Sequence, residues 1–345
     1  MIKLPKNVIG ITADSRKVKK DFAFVAIRGE TSDGHDFINE AIKKGAKFIV
    51  GEKNVEVPKT VSYLKVGDSR EALGNLASQF YGNPSSKLKI IGVTGTKGKT
   101  TTAHLIYHLL SSAGKKVGLV SSILAKIGDK EVDTGFHVTT PDATALHKFL
   151  SQMVKWGYEY AVLEVSSHAI IQKRIAGVTF QVAVLTNIAP EHLDYHKTFE
   201  EYKKTKLSFL ASARKKVISP KKTSLNVLPG EFNNINAETA VTVAGLFGID
   251  QKRAVASLNF FKLPQGRMEE VQTEGSIVRV LVPTPRTFTP NLDIIAAITS
   301  ISLILGTFVR VEGVSAKMVA ARSLSAEFLF PAKVTSPESF LPPFI

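Results

Sequence analysis

The sequence predicts a three-domain α/β protein whose central domain is a parallel β-sheet with a phosphate-binding loop. Three observations lead to this fold class. Short apolar segments alternate with helical patterns over residues 1–262. The segments 160–164 and 182–186 are almost continuously apolar, which is typical of parallel strands covered by helices on both faces. Another strand segment, 89–93, runs directly into a glycine-rich turn, and a helical pattern follows.

The order of these segments suggests where the domains divide. At about 100–200 residues per domain, a chain of 345 residues has room for two or three. We place the first domain at 1–86, ending in the turn-rich segment 82–86, the central domain at 87–262 and the third at 263–345. The predicted strands are 8–11, 22–27, 46–50, 89–93, 117–121, 160–164 and 182–186. The predicted helices are 35–44, 69–81, 101–113, 143–156 and a hairpin at 236–258.

Composition narrows the function classes. The chain has no cysteine, which excludes disulfides, thiolate metal sites and a cysteine nucleophile. The formal net charge is +15, but the lysines lie in short scattered clusters without the aromatic signature of RNA-binding domains. We therefore expect an anionic nucleotide substrate rather than a nucleic acid. The N-terminus lacks the apolar segment of a signal peptide, and we expect a cytoplasmic monomer.

The glycine-rich turn is the clearest candidate site. Gly95 and Gly98 allow backbone N–H groups to approach phosphate oxygens, and the helix that follows adds the partial positive charge of its N-terminus. Lys99 would reach the β- and γ-phosphates, and the Thr100 hydroxyl would ligate Mg²⁺. The loop is shorter than the eight-residue spacing of Walker A, but it lies between a strand and a helix, as such a loop must.

Glu164 is the second candidate. It ends an apolar strand, and ligands of α/β sheets bind beside the carboxyl ends of the strands. We expect it to be a Mg²⁺ ligand beside Thr100.

Five segments in order resemble the Mur ligase and folylpolyglutamate synthetase family, and within it the MurE type of Mur ligase. Besides the phosphate loop, the resemblance rests on ITADSRKVKKDFAFVAIRGETSDGHDFINEAIKKGAKFIV, TTPD, LEVSSHAIIQKRIAGVTF, LTNIAPEHLDYHKTFEEYKKTKLSFL and LPQGRMEEV. It covers roughly residues 9–282 and implies an ATP-dependent amide ligase of peptidoglycan synthesis. ATP would phosphorylate the D-Glu carboxylate of UDP-MurNAc-L-Ala-D-Glu, and the amine of diaminopimelate or lysine would displace the phosphate. The cofactors implied are ATP and Mg²⁺.

The resemblance also assigns residues. It implies catalytic roles for Lys99, Glu164, His192 and Lys206, and metal binding by Thr100, Glu164, His192 and a carbamylated Lys206. The residues implied for ATP are Gly95, Thr96, Lys97, Gly98, Lys99, Thr100, Thr101, Asn187, Asn233 and Asn236. The residues implied for the UDP-muramoyl peptide are Ser15, Arg16, Thr139, Thr140, Ser166, Gln172 and Arg174. Asp33 and His35 are instead expected to shape a turn. Without the resemblance, His192 reads as structural and Lys206 as one of several surface lysines.

The sequence departs from the family in two places. Fewer than thirty residues separate Lys206 from the segment GEFNNINAETA, where the family has several more strands. After Val282 the third-domain motifs, including the one that binds the amino acid, are missing. Our preferred hypothesis is a frame error or truncation near residue 282. The alternatives are a membrane anchor at 292–309 and a degenerate third domain with a buried helix or strand pair.

Two alternatives to the ligase remain. A folylpolyglutamate synthetase shares the phosphate loop and the amide chemistry, but the segments DSR, DGHDF and EVSSHA count against it. A catalytically impaired remnant would bind UDP-sugar and ATP without delivering the amino acid.

Overall fold

The computed structural model describes residues 3–123, 125–127, 130–132, 139–264, 269–273, 276–280 and 310–312, and the chain divides into two compact units, Met1–Phe261 and Lys262–Ile345. The strands are β1 (Gly10–Thr12), β2 (Phe22–Val25), β3 (Phe48–Gly51), β4 (Ser62–Lys65), β5 (Lys89–Thr94), β6 (Val117–Val120), β7 (Ala125–Ile127), β8 (Lys130–Val132), β9 (Tyr160–Glu164), β10 (Val182–Leu185), β11 (Lys215–Ile218), β12 (Glu269–Thr273), β13 (Ser276–Val280) and β14 (Arg310–Glu312). The α-helices are α1 (Ile38–Lys43), α2 (Ser69–Phe80), α3 (Lys99–Ser112), α4 (Ala143–Lys155), α5 (Ser167–Ile171), α6 (Leu193–His196), α7 (Phe199–Ser212), α8 (Glu231–Gly245) and α9 (Gln251–Ser257).

The first sheet contains four parallel strands in the order β1-β2-β3-β4. The turn before α1 is held as predicted from the sequence. The Asp33 carboxylate accepts a hydrogen bond from the His35 backbone N–H at 3.0 Å, and it lies 2.6 Å from His35 Nδ1. His35 Nε2 accepts from the Glu52 backbone N–H at 2.8 Å. Because Nε2 is the acceptor, Nδ1 carries the ring proton, and both ring nitrogens serve the turn.

The second sheet has seven strands in the order β11-β10-β5-β9-β6-β7-β8. The first five are parallel to their neighbours, and β7 and β8 continue the sheet in antiparallel register. Strand β9 is buried along its whole length, because helices cover both faces. Residues of α3, α8 and α9 form the core on one face, and residues of α4 and α7 form the core on the other.

This architecture confirms the predicted α/β class with a central parallel sheet. Sequence patterns missed the short strands β4, β7, β8 and β11, and they started α8 five residues late, at 236 rather than Glu231. Three- and four-residue strands at a sheet edge carry too few apolar residues to show a period.

The second unit contains the antiparallel sheet β12-β13-β14. The proposed frame change near 282 and the anchor at 292–309 both fall outside the described residues. Within the described part of the chain, no helix is long and apolar enough to span a membrane.

Helices α2 and α4 pack against each other, and the loop 172–177 lies against α2. Ser78 Oγ and Ser85 Oγ both donate to the Gly177 carbonyl, at 3.2 and 3.3 Å. A Cβ on Gly74 would lie 2.6 Å from Ala176 Cβ and 2.7 Å from the Ala176 carbonyl oxygen. The loop therefore approaches α2 closely enough that only glycine fits at position 74.

We expect Gly74→Ala to lower the free energy of unfolding by about 1–3 kcal/mol, the usual cost of overpacking, although alanine favours helix. The matched control is Gly245→Ala, where a new Cβ meets nothing within 4 Å. That variant should gain up to about 1 kcal/mol from helix propensity. Urea titration of both variants measures the difference, and equal gains in stability would contradict the close approach.

Candidate active site

The phosphate loop connects β5 to α3, and both of its glycines are required. Gly98 has φ +82° and Gly95 has φ +151°, values at which a side chain is strained. A Cβ on Gly98 would lie 2.6 Å from Asn236 Oδ1, and one on Gly95 would collide with Thr186 Oγ1. Lys99 opens α3 and donates from Nζ to the Thr96 carbonyl at 2.9 Å. The loop is thus a compact turn at a helix N-terminus, which is the geometry that binds phosphate.

The segment after β10 fixes this loop from the side. Asn187 pairs with the Lys97 backbone in both directions, accepting from its N–H (2.9 Å) and donating to its carbonyl (3.0 Å). Thr186 Oγ1 donates to the same carbonyl at 2.6 Å. Thr96 Oγ1 accepts from the Ala189 backbone N–H at 2.9 Å. The shape of the loop is therefore set before any ligand binds.

Glu164 lies where the sequence places it, at the end of β9, and only 2% of its surface is exposed. Its Oε1 accepts from Thr100 Oγ1 at 3.1 Å. Its Oε2 accepts from the Ser122 backbone N–H at 2.9 Å and from Ser122 Oγ at 3.0 Å. A buried carboxylate costs several kcal/mol unless it is hydrogen-bonded, so these three bonds are what allow it to remain there.

The pair of Thr100 and Glu164 fits a magnesium ion. Mg²⁺ prefers oxygen ligands and binds through one or two carboxylates together with substrate phosphates and water. Among the residues the structure describes, no group of three or more His, Cys, Asp or Glu side chains could hold a metal alone. A hydroxyl and a carboxylate beside a phosphate loop are therefore the donor set expected for a metal that arrives with a nucleotide.

Lys206 is buried in α7, with 1% of its surface exposed. It is therefore not one of the surface lysines, as its sequence context alone would suggest. Its Nζ donates to the Gly95 carbonyl at 2.8 Å and lies 4.6 Å from the centre of the Tyr202 ring. Burial, followed by the positive charge of Lys99, lowers the pKa of Lys206 to about 7. At neutral pH a large fraction of this amine is therefore uncharged and nucleophilic.

The residues assigned to the muramoyl peptide adjoin Glu164. Thr140 Oγ1 donates to the Glu164 carbonyl at 2.9 Å and accepts from the Ser166 N–H at 3.2 Å. Arg174 donates from Nη1 to the Thr140 carbonyl (2.8 Å) and from Nε and Nη2 to Gln172 Oε1 (2.9 and 2.6 Å). Gln172 in turn donates to Tyr195 Oη at 3.1 Å. One continuous network therefore joins the candidate metal pair to Arg174.

His192 lies in a cluster of rings at the end of this network. Its ring centre is 4.9 Å from that of His168, which is 4.4 Å from that of Tyr195. Burial, then the neighbouring His192, lowers the pKa of His168. Glu191, next in sequence, binds Lys97 Nζ at 2.9 Å. Burial alone would raise the pKa of Glu191, but the hydrogen bond from Lys97 and the charges of Lys97 and Lys99 hold it below its usual value.

The remaining residues predicted for ligand binding lie either in the central domain or beside the first sheet. Asn236 lies beside Gly98, Asn233 donates to the Pro229 carbonyl at 2.7 Å, and Thr101 is buried in α3. Thr139 is half-buried next to Thr140. Ser15 and Arg16 belong to the other sheet, after β1. Ser15 is buried, and Arg16 pairs with Asp14 at 2.9 Å.

Four residues that sequence patterns missed also belong to the site: Ser122, Thr186, Tyr195 and Tyr202. Ser122 and Thr186 follow the carboxyl ends of β6 and β10, the same edge as Glu164, so strand-end position could have indicated them. Tyr195 and Tyr202 lie on helices, and no feature of their spacing distinguishes them from core aromatics.

The neutral amine of Lys206 should react with CO₂. In ¹³C-bicarbonate at about pH 8, a carbamate signal should appear in the ¹³C NMR spectrum, because most of the amine is unprotonated above its pKa of about 7. The signal should fade as the pH drops through that value. Lys206→Met should lack it, and Lys203→Met, which changes a half-exposed lysine of the same helix, should keep it. A signal that survives Lys206→Met would refute the assignment.

Comparison with known proteins agrees with this geometry. The Mur ligase middle domain matches residues 93–244, and the model described as Mur ligase family, catalytic domain, matches residues 7–81. The chain is 38% identical over 344 residues to the UDP-N-acetylmuramoyl-L-alanyl-D-glutamate--2,6-diaminopimelate ligase of Cytophaga hutchinsonii, covering 86% of this chain and 70% of that protein. It is 47% identical over 272 residues to the protein of the same name from Parabacteroides distasonis, covering 78% and 52%.

Solved structures share the fold. A UDP-N-acetylmuramoyl-L-alanyl-D-glutamate--2,6-diaminopimelate ligase superposes with a TM-score of 0.68 at 22% identity, over 86% of this chain and 70% of that one. MurF from Acinetobacter baumannii gives a TM-score of 0.56 at 20% identity, over 87% and 72%. The chain spans about half the length of most of the curated relatives it matches. On its sequence matches and its fold, the chain belongs to the Mur ligase family.

Proposed function

We propose that the chain carries the nucleotide- and peptide-binding part of an ATP-dependent ligase that adds 2,6-diaminopimelate to UDP-MurNAc-L-Ala-D-Glu in the cytoplasm. The observation that carries the proposal is the hydrogen bond between Thr100 Oγ1 and Glu164 Oε1, 3.1 Å long, at the exit of the phosphate loop. It brings a hydroxyl and a carboxylate, the oxygen donors that Mg²⁺ prefers, next to a helix N-terminus. The names of the relatives support diaminopimelate rather than lysine as the third residue.

The reaction forms an amide in two steps. The terminal phosphoryl group of ATP passes to the D-Glu carboxylate, giving an acyl phosphate and ADP. The amine of diaminopimelate then attacks the acyl carbon, loses a proton and expels phosphate. Both partners of the first step are anions, so positive charge must be placed between them. Lys99 and the N-terminus of α3 supply part of it, and Mg²⁺ held by Thr100 and Glu164 would neutralise the phosphate oxygens.

The substrate carboxylate is assigned to Arg174. Three of the five N–H donors of its guanidinium are engaged by Gln172 and the Thr140 carbonyl, which holds the plane of the group in one orientation. Guanidinium is the side chain that matches a carboxylate in a planar, bidentate way. Since Thr140 also bonds the Glu164 carbonyl, the acceptor carboxylate and the nucleotide would meet at the end of β9.

We assign the remaining positions in the same way. Ser15 and Arg16 would bind the UDP moiety from the first domain, residues 1–86. Asn187, Asn233 and Asn236 would border the nucleotide in the central domain, residues 87–262. His192 and a carbamylated Lys206 would serve a second metal ion. We further propose that the chain acts as a monomer without a nucleic-acid or membrane partner, and that residues 263–345 form the incomplete third domain.

The second candidate is a binding-only form of the same protein, which would hold ATP and the UDP-sugar without delivering the amino acid. The amine must be held about 3–3.5 Å from the acyl carbon, and such positioning is worth roughly 7–11 kcal/mol. Residues 283–345 carry none of the family motifs that perform it. We therefore expect calorimetry to detect binding of ATP and UDP-MurNAc-dipeptide, and a coupled phosphate assay with diaminopimelate to detect almost no turnover. Efficient tripeptide formation would instead establish the full ligase, and absence of nucleotide binding would refute both candidates.

Replacing Lys99 tests the phosphate loop directly. Lys99→Ala should weaken ATP binding, and where phosphate release is measurable it should fall at least about a hundredfold, the usual cost of losing a group that stabilises transition-state charge. Lys155→Ala, an exposed lysine at the end of α4, is the control and should change neither quantity. Equal behaviour of the two variants would remove Lys99 from the mechanism.

A further inference from the structure

A cavity of about 440 Å³ lies at the amino ends of the parallel strands, opposite the phosphate loop. It is where β6 and β9 begin, two neighbouring strands whose first paired residues are Val117 and Tyr160. The phosphate loop and Glu164 instead lie at the carboxyl ends of their strands, the end at which ligands of open α/β sheets bind. This cavity is therefore separate from the candidate active site.

Two helix ends of the same kind form the walls of the cavity. Helices α3 and α4 are each followed by a glycine with positive φ, Gly114 at +79° and Gly157 at +72°. The next residues, Lys115 and Tyr158, donate their N–H groups to carbonyls five residues back, at 3.1 and 3.0 Å. This is the Schellman motif, which satisfies the last carbonyls of a helix. Hydrogen bonds of the backbone thus fix both walls.

Aromatic rings and lysines line the cavity together, and the lining residues include Tyr107, Ser111, Lys115, Lys116, Trp156 and Tyr158. Trp156 is 42% exposed. A Cβ built on Gly157 would lie 3.9 Å from Lys116 Nζ, which places that ammonium group beside the turn that carries Trp156. Lys126 Nζ lies 5.9 Å from the centre of the Tyr107 ring. Flat apolar surfaces and positive charge are therefore found at one place.

Helix dipoles alone do not explain this combination. The C-termini of α3 and α4 lie at this end of the sheet, and their partial negative charge attracts lysines but disfavours a bound anion. Lys115 and Lys116 bring two full positive charges, which outweigh the two partial ones. In a Schellman motif the residue at the position of Lys115 frequently makes an apolar contact with the helix, so capping does not require a lysine there.

We propose that this cavity is a second ligand site, which binds a nucleoside monophosphate. Lys115 and Lys116 bind the phosphate, and the base lies against Trp156. Lysine binds phosphate as a point charge, whereas planar recognition of a carboxylate favours arginine, and the described residues that line the cavity include no arginine and no acidic side chain. Every base offers a flat face to an aromatic ring. The volume falls within the range of about 300–1,000 Å³ that is usual for small-molecule sites.

Fluorescence tests the proposal, because Trp156 is the only tryptophan of the chain. UMP is titrated into the full chain, with excitation at a wavelength that tyrosine does not absorb. UMP should quench the emission to saturation, and AMP should do so within about threefold of the same concentration, because stacking tolerates any base. Uridine lacks the charge and inorganic phosphate lacks the ring, so each should need at least about tenfold higher concentrations.

Paired lysine variants locate the response. Lys115→Met combined with Lys116→Met removes both charges but keeps apolar stems, and it should raise the half-saturating UMP concentration at least about tenfold. Lys115→Arg combined with Lys116→Arg should stay within about threefold of the parent. The matched control is Lys203→Met with Lys204→Met, at the surface of α7, which should leave the titration unchanged. Added KCl should weaken UMP binding to the parent chain, because the contact joins two ions.

Any of three results would overturn the proposal. UMP at millimolar concentration may leave Trp156 emission unchanged, uridine may quench as well as UMP, or the double methionine variant may titrate like the parent, which would mean that the nucleotide binds elsewhere. If circular dichroism shows that the double variant is misfolded, the salt titration decides, and UMP binding that is insensitive to KCl refutes the site. Loss of ATP binding or of ligase activity does not bear on this titration, so the proposed function and this inference fail separately.

Discussion

The organisation of the central domain depends on one buried carboxylate. Glu164 ends β9, the fourth strand of the seven-stranded sheet, with 2% of its surface exposed, and a carboxyl group buried in that position needs hydrogen-bond donors around it. The protein provides them from α3, through Thr100, and from the turn after β6, through Ser122. The backbone carbonyl of the same residue accepts from Thr140. Three separate segments thus converge on Glu164, and the same convergence assembles the site.

A second constraint is that the polar groups of the phosphate loop need hydrogen-bond partners. The segment after β10 supplies partners for the loop: Thr186 and Asn187 bond the Lys97 backbone, and the Ala189 N–H donates to Thr96 Oγ1. Asn187 therefore has a structural role, because its side chain hydrogen-bonds both the N–H and the carbonyl of Lys97. Any contact it makes with a nucleotide would be added to this task, since the side chain is already oriented before a ligand arrives.

Sequence patterns could predict the fold class and the main pair of the site. Long apolar strands and amphipathic helices can be recognised from the spacing of their apolar residues. The rule that ligands bind at the carboxyl ends of strands predicted from the sequence that Glu164 lies beside Thr100. Burial of Lys206 could not be predicted in this way. It is one of three lysines within four residues of α7, and only packing against the Gly95 carbonyl and Tyr202 distinguishes it. Ser122 was missed because serine is also a common residue of turns that have no functional role.

The positive charges of the phosphate loop influence the pKa values of two neighbouring side chains. Lys97 and Lys99 lower the pKa of Glu191, and burial with the charge of Lys99 lowers that of Lys206. Lys97, Lys99 and Lys206 place several cationic groups around the loop, and the protein limits their mutual repulsion by pairing Lys97 with Glu191 and by leaving about half of the Lys206 amine neutral at pH 7. A polyphosphate would remove that repulsion, so part of its binding free energy comes from relief of strain among the protein's own charges. Burial first, and the charge of Lys99 second, lower the pKa of Lys206 to about 7, so that a large fraction of its amine is uncharged and nucleophilic at neutral pH.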